Sequence, residues 1–218
     1  MAIKNLKLAI FDMDGLMLDT ETLYIDECLA ISDENNYRIS KELLLKTVGI
    51  TAADEENILR NALGPDFPLD SYREKAIQCM FNRIEQEGIG IKEGLLELLD
   101  FLEENKVLKV VATSRYRSRA EWLLDKAGIK NRFNEIICGD DVKNGKPAPD
   151  IFLKACEIMG VDKSKAVVLE DSINGLKAAK AAEIKCILIP DIVVPTPEEE
   201  HMAYLKLNNL KEVINIDI

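Results

Sequence analysis

Five short apolar runs constrain the fold of this 218-residue chain more than any other feature. Each is four or five residues long and rich in β-branched residues, as in strands buried on both faces of a parallel sheet. They span residues 7–11, 108–112, 135–138, 166–169 and 185–189. From about residue 92 onward, helical patterns alternate with these runs. The alternation predicts right-handed βαβ units in a doubly wound, Rossmann-like parallel sheet of the α/β class.

The stretch from residue 20 to residue 91 breaks this alternation, because it carries helical patterns only. The predicted helices cover roughly residues 20–35, 40–47, 53–63 and 69–87. Such a stretch is too long for a simple crossover between two strands. We therefore predict an α/β core formed by residues 1–18 and 92–218, with residues 19–91 inserted as an α-helical cap. Residues 190–200 contain three prolines and are predicted to form a loop.

The charge balance of the chain limits its partners. The formal net charge is −11, which repels nucleic acid and anionic membrane surfaces, so we expect neither as a partner. The five cysteines are widely spaced and form no C-x-x-C pair, which is typical of reduced thiols in a cytosolic protein. The first apolar run is too short for a signal peptide or a membrane span. We expect a cytoplasmic monomer.

Polar side chains follow four of the predicted elements, at the edge of the sheet where ligands bind in open α/β folds. They are Asp12 and Asp14, then Thr113 and Ser114, then Lys146, and finally Glu170 and Asp171. Because the carboxyl ends of parallel strands meet at one edge, we expect these side chains to lie close together.

This set contains the groups that phosphoryl transfer requires. A carboxylate can attack phosphorus to form an aspartyl-phosphate, and a second carboxyl two residues away can protonate the leaving oxygen and then activate water. Two adjacent carboxylates repel each other, and Mg²⁺ held by Asp12, the Asp14 carbonyl and Asp171 would relieve that repulsion. Thr113, Ser114 and Lys146 offer donors for the oxygens of the transferred group.

These residues also carry a resemblance to a known family. The D-x-D-G-x-x-x-D-T start, the hydroxyl after the second strand, the G-K-P-A-P-D loop and the L-E-D-S-x-x-G segment resemble the four motifs of the haloacid dehalogenase superfamily, in order. The helical insertion resembles the small cap of the subfamily that includes β-phosphoglucomutase and phosphoglycolate phosphatase. The resemblance implies that Asp12 is the nucleophile and Asp14 the acid/base. It implies that Thr113 and Lys146 bind phosphate, and that Mg²⁺ is organised by Asp12, Asp14, Glu170 and Asp171.

Hydrolysis of a small phosphorylated metabolite, such as a sugar phosphate, is the function that these features favour. The alternative within the family is β-phosphoglucomutase, whose cap pattern has a His and an Arg where this chain has Tyr24 and Ala52. Lys75 loosely matches a cap lysine that contacts sugar phosphate. The missing His and Arg favour a phosphatase.

Two alternatives without enzymatic activity fit the sequence less well. A phospho-receiver domain uses a similar acidic cluster but has about half this length and no helical insertion. A binding protein on the same fold would not need every motif position to be chemically intact. Away from the predicted chemistry, Glu183 and Glu93 stand where the family usually has Gly and often has Pro, which puts the local turn geometry in question.

Overall fold

A parallel sheet forms the centre of the protein. The computed structural model describes residues 5–216, apart from the side chain of Ala52. The strands are β1 (Leu8–Phe11), β2 (Leu108–Ala112), β3 (Glu135–Ile137), β4 (Ala166–Glu170), β5 (Lys185–Leu188) and β6 (Leu205–Lys206). Their order across the sheet is β3-β2-β1-β4-β5-β6, and every neighbouring pair is parallel. The predicted fold class is confirmed, and the five predicted strands begin and end within one residue of the observed ones.

The helices follow the predicted pattern, except for the last one. They are α1 (Thr20–Asn35), α2 (Lys41–Leu45), α3 (Ala52–Leu63), α4 (Leu69–Glu87), α5 (Leu95–Glu104), α6 (Arg117–Lys126), α7 (Asp150–Met159), α8 (Ile173–Ala182) and α9 (Pro197–Glu200). Among residues 5–216, no helix is long and apolar enough to cross a lipid bilayer.

Alternate residues of β1 show why helices cover both faces of the sheet. Successive side chains of a strand point to opposite faces, and all four residues of β1 are buried. Ala9 and Phe11 join a core cluster with α5 and α6. Leu8 and Ile10 join a second cluster with α7 and α8. The continuous apolar run of β1 therefore specifies a strand between two helical layers.

Helices α1 to α4, which we call the helical insertion, have an apolar cluster of their own. It is built around Ile25, Cys28 and Ile31 of α1, together with Tyr72 and Ala76 of α4. The Tyr72 hydroxyl donates to the Cys28 carbonyl oxygen at 2.9 Å, which ties α4 to α1 in this interior.

Two chain segments connect the sheet to the helical insertion, and they run side by side. Leu18 and Ile91 form an antiparallel bridge. The Asp19 amide donates to the Gly90 carbonyl at 3.0 Å, and the Lys92 amide donates to the Met17 carbonyl at 2.9 Å. The insertion therefore leaves and rejoins the sheet at adjoining points.

The prediction of a loop over residues 190–200 is wrong at its end, where α9 forms. Thr196 and Glu199 make a reciprocal capping box, and Pro197 occupies the first helical turn. The T-P-E-E sequence is a helix-start signal, and it outweighs the three prolines here. Strand β6 was also missed, because two residues at a sheet edge leave no apolar run to detect.

Candidate active site

Three adjacent strands bring most of the predicted side chains to one edge of the sheet. Asp12 directly follows β1, Thr113 follows β2 and Glu170 ends β4. Since β1 lies between β2 and β4, these three residues are neighbours across the sheet. Lys146 lies in the loop between β3 and α7, and its Nζ reaches the same point.

Lys146 joins two carboxylates that are far apart in the sequence. Its Nζ contacts Asp12 Oδ1 and lies 2.5 Å from Glu170 Oε1. All three side chains are buried, with Glu170 fully enclosed. Burial alone would lower the pKa of Lys146, but the two carboxylates outweigh it and hold that pKa above its usual range. The ammonium is therefore a permanent positive charge at the base of the site.

The two buried aspartates beside Lys146 have raised pKa values, which disfavour their charged forms. Burial raises the pKa of Asp12 to about 8; Lys146 opposes the shift, and Glu170 and Asp14 add to it. The pKa of Asp171 lies well above its usual range, because the group is buried and because Glu170 and Asp12 repel its negative charge. The single positive charge of Lys146 does not balance the negative charges that Asp12, Glu170 and Asp171 would carry together.

Glu170 is the most firmly fixed of these carboxylates. Its Oε2 accepts hydrogen bonds from the Asp171 amide, the Ser172 amide and the Ser172 hydroxyl, each at 3.0 Å. Gly175 packs against the same group, and a Cβ at that position would lie 1.7 Å from Glu170 Oε1. Both oxygens of Glu170 already have partners, so its main effect is to orient Lys146 and the start of α8.

Asp14 is bound to a residue that the sequence did not single out. Arg115 Nε lies 2.8 Å from each oxygen of the Asp14 carboxylate. Thr20 Oγ1, in the first residue of α1, donates to Asp14 Oδ1 at 2.5 Å. The predicted acid/base is thus fixed between a loop of the sheet and the helical insertion. The only signal in the sequence was a basic residue directly after the Thr113–Ser114 pair.

The two predicted hydroxyl residues differ in exposure. Thr113 is buried, and its Oγ1 accepts a hydrogen bond from the Arg115 amide at 3.2 Å. Ser114 is exposed. Both residues line the cavity between the sheet and the helical insertion, as Asp12 does.

A cavity of about 520 Å³ lies between this edge of the sheet and the helical insertion. Its base carries Asp12, Asp14, Lys146 and Asp171, and its opposite wall comes from the insertion. That wall mixes polar and apolar side chains, among them Glu21, Tyr24, Ile25, Leu44, Thr47, Thr51 and Glu55. A volume of this size is typical of small-molecule sites, which are on the order of 300–1,000 Å³.

The prediction for Lys75 does not fit this cavity. Lys75 is exposed on α4, and its Nζ pairs with Glu34 of α1 at 2.9 Å. It does not line the cavity, because it lies on a different side of the helix from Ile77 and Met80, which do. The sequence match was too loose to place this lysine on the correct helix face.

The donor set fits a divalent cation such as Mg²⁺. Carboxylate oxygens of Asp12, Glu170 and Asp171 lie within 4.8 Å of one another. When all three carboxyls are ionised, the Lys146 ammonium leaves two negative charges uncompensated, which a divalent ion would neutralise. Gly15 keeps space open beside Asp171, since a Cβ there would lie 2.3 Å from Asp171 Oδ2. Mg²⁺ binds oxygen ligands, usually one or two carboxylates together with several water molecules.

The Asp14 side chain is not part of this carboxylate group. Its oxygens face Arg115 and Thr20. A contribution of Asp14 to metal binding would therefore come from its backbone carbonyl, as the sequence prediction has it.

Known proteins resemble this chain over most of its length. The sequence profile of the haloacid dehalogenase-like hydrolases matches residues 9–189. A phosphorylated carbohydrates phosphatase of Thermotoga maritima is 32% identical over 178 residues, which cover 82% of each chain. Hexitol phosphatase B of Escherichia coli O157:H7 is 28% identical and covers 96% of this chain and 95% of its own.

Solved structures share the fold. The crystal structure of β-phosphoglucomutase from Clostridium difficile superposes with a TM-score of 0.75, covering 95% of this chain and 93% of its own at 19% identity. At that identity the likeness concerns the fold alone. The predicted family is confirmed by the profile match and by the relatives: the chain belongs to the haloacid dehalogenase-like hydrolase family, in which it groups with phosphatases.

Proposed function

We propose that the chain is a Mg²⁺-dependent phosphatase that hydrolyses a small phosphorylated metabolite, a sugar phosphate, through an aspartyl-phosphate on Asp12. The observation that carries the proposal is the placement of Asp12 at the base of a cavity, in contact with Lys146 and beside Thr113 and Asp171. The proposal is supported by the Thermotoga maritima relative, whose name states that it acts on phosphorylated carbohydrates.

Each side chain has a defined part in this proposal. An oxygen of Asp12 attacks phosphorus, and Asp14 gives a proton to the leaving oxygen, which departs as the sugar hydroxyl. Asp14 then takes a proton from water as the water oxygen attacks phosphorus, which releases inorganic phosphate and restores Asp12. Lys146 and Thr113 hold the oxygens of the phosphoryl group in both steps. A bound Mg²⁺ would supply positive charge for the developing negative charge on those oxygens.

The helical insertion is the proposed source of substrate selection. Thr47, Thr51 and Glu55 offer donors and acceptors for hydroxyl groups, and Ile25 and Leu44 offer apolar surface. A sugar carries both kinds of surface, so this mixed wall suits it. The insertion would also limit the access of bulk water from its side of the cavity during the first step.

Tyr24 stands where the mutase pattern has its His. Tyr24 lines the cavity, but burial raises the pKa of its phenol above the usual range, so the group is no base near neutral pH. The absence of the cap His and Arg from positions 24 and 52 therefore supports water, rather than a second sugar hydroxyl, as the acceptor.

Acid quenching of a reaction with ³²P-labelled sugar phosphate tests the proposal. We expect label on the wild-type protein, mapped to the Asp12 peptide, and no label on Asp12→Asn, which should still fold. Label retained by Asp12→Asn would contradict the assignment. The fate of the phosphoryl group is tested with β-glucose 1-phosphate and a bisphosphate primer. Free phosphate is expected, and net glucose 6-phosphate would instead indicate a mutase.

A further inference from the structure

Asp191, in the loop after β5, has a carboxylate oxygen without a partner. Lys92 Nζ donates to Asp191 Oδ1 at 2.6 Å. Oδ2 is buried, and no hydrogen-bond donor for it exists among residues 5–216. A buried carboxylate oxygen without a donor is costly, and its usual explanation is a bound water or ion.

The unpartnered oxygen points toward the predicted metal site. A Cβ built on Gly15 would lie 2.3 Å from Asp171 Oδ2 and 3.3 Å from Asp191 Oδ2. The two oxygens therefore face the same small space above Gly15. Two carboxylates directed at one point repel each other unless positive charge or a hydrogen-bond donor lies between them.

Asp191 does not stand close enough to act as a further direct ligand of the same ion. The carboxylates with oxygens within 4.8 Å of one another are Asp12, Glu170 and Asp171, and this group does not include Asp191. Mg²⁺ usually keeps several of its water molecules, and partners of those waters affect affinity as strongly as some ligands do.

We infer that Asp191 is a positioning residue of the metal site, which accepts a hydrogen bond from the hydrated ion beside Asp171 and is held in place by Lys92. The inference rests on the proposed Mg²⁺ site. Lys92 also donates to Asp19 at 3.0 Å, in the segment that leads into α1. The ion would thus be linked through Asp191 and Lys92 to the base of the helical insertion.

Asp191→Asn is the variant that tests this role. Lys92 requires an acceptor, so the amide oxygen of the new Asn would remain with Lys92 and its NH₂ group would replace Oδ2. That group donates and cannot accept from a metal-bound water. We expect Mg²⁺ affinity, measured by calorimetric titration of the metal-free protein and by Mn²⁺ electron paramagnetic resonance, to fall by about 10-fold or more.

Asp19→Asn is the matched control. The substitution removes the other carboxylate partner of Lys92. Unlike Asp191, Asp19 is not among the groups nearest to a Cβ at Gly15, beside Asp171. We expect its Mg²⁺ affinity to stay within about two-fold of wild type. Asp171→Asn should lose most of the affinity.

Three outcomes would overturn the inference. If Asp171→Asn weakens binding and Asp191→Asn does not, Asp191 has no role at the ion although the proposed site stands. If Asp19→Asn weakens binding as much as Asp191→Asn does, the effect belongs to the Lys92 ion pairs. If Asp171→Asn binds like wild type, the proposed site fails and the inference falls with it. Circular dichroism checks folding, and Asp191→Ser replaces the Asn variant if that variant does not fold.

Discussion

Gly175 offers a direct test of how the site is built. It lies inside α8, where Ala is normally better than Gly by about 1 kcal/mol, so helix propensity alone predicts that Gly175→Ala stabilises the protein. The structure predicts the opposite. A Cβ at this position would lie 1.7 Å from Oε1, 1.9 Å from Cδ and 2.4 Å from Oε2 of Glu170, so the whole carboxylate must move.

The size of the effect follows from what Glu170 would lose. Its carboxylate accepts from Lys146, from the Asp171 amide and twice from Ser172. Breaking a buried, hydrogen-bonded ion pair costs about 3–5 kcal/mol. After the gain in helix propensity, we expect a net loss of about 2–4 kcal/mol in the free energy of unfolding. For a chain of this size the melting temperature should fall by about 5–15 °C.

Activity should fall as well, because Lys146 depends on Glu170 for its position. A displacement near 1 Å at such a group can cost about 100-fold in rate, and we expect a loss of that order in kcat. Thermal unfolding followed by circular dichroism and a phosphatase assay measure the two effects. Gly145→Ala is the matched control, since a Cβ there meets nothing within 4 Å. A Gly175→Ala protein as stable and as active as wild type would refute this account of Glu170.

Three further predictions follow from particular groups. Glu183 adopts a positive φ of 57°, so Glu183→Gly should raise the melting temperature by about 2–4 °C, whereas Glu183→Ala should not raise it. Treatment with EDTA should abolish phosphatase activity and Mg²⁺ should restore it; full activity in the chelator would contradict the metal proposal. Because burial raises the pKa of Asp12 to about 8, the folded metal-free protein binds more protons than the unfolded chain from about pH 4 to 8. Its stability should therefore decrease as pH rises through that range, and Mg²⁺ should offset the loss; a stability of the metal-free protein that rises with pH there would contradict the shift.

The strands and the position of the candidate active site were predictable because they depend on local sequence. Apolar runs specify buried strands, and the polar residues that end them mark the edge where the strands meet. The sequence put the turn geometry at Glu183 in question, and the structure shows that Glu183 keeps the left-handed conformation that Gly adopts without strain.

Arg115 and Asp191 could not be assigned from the sequence, because their roles depend on contacts between distant segments. Arg115 lies 101 residues from Asp14 in the chain, and Lys92 lies 99 residues from Asp191. A single charged residue in a loop can equally be exposed to solvent. No local sequence pattern distinguishes a residue in a buried ion pair from an exposed one. Only the fold selects between them.

The paired segments around Leu18 and Ile91 have a consequence for how such an enzyme can diversify. Because the insertion leaves and rejoins the sheet at adjoining points, exchanging it for another helical unit that keeps Asp19 and Thr20 would leave the strand register and the partner of Asp14 in place. A graft of a relative's insertion between residues 20 and 91 should therefore transfer substrate preference while the chemistry at Asp12 stays the same. Substrate preference, which depends on the insertion, could then change independently of the reaction at Asp12.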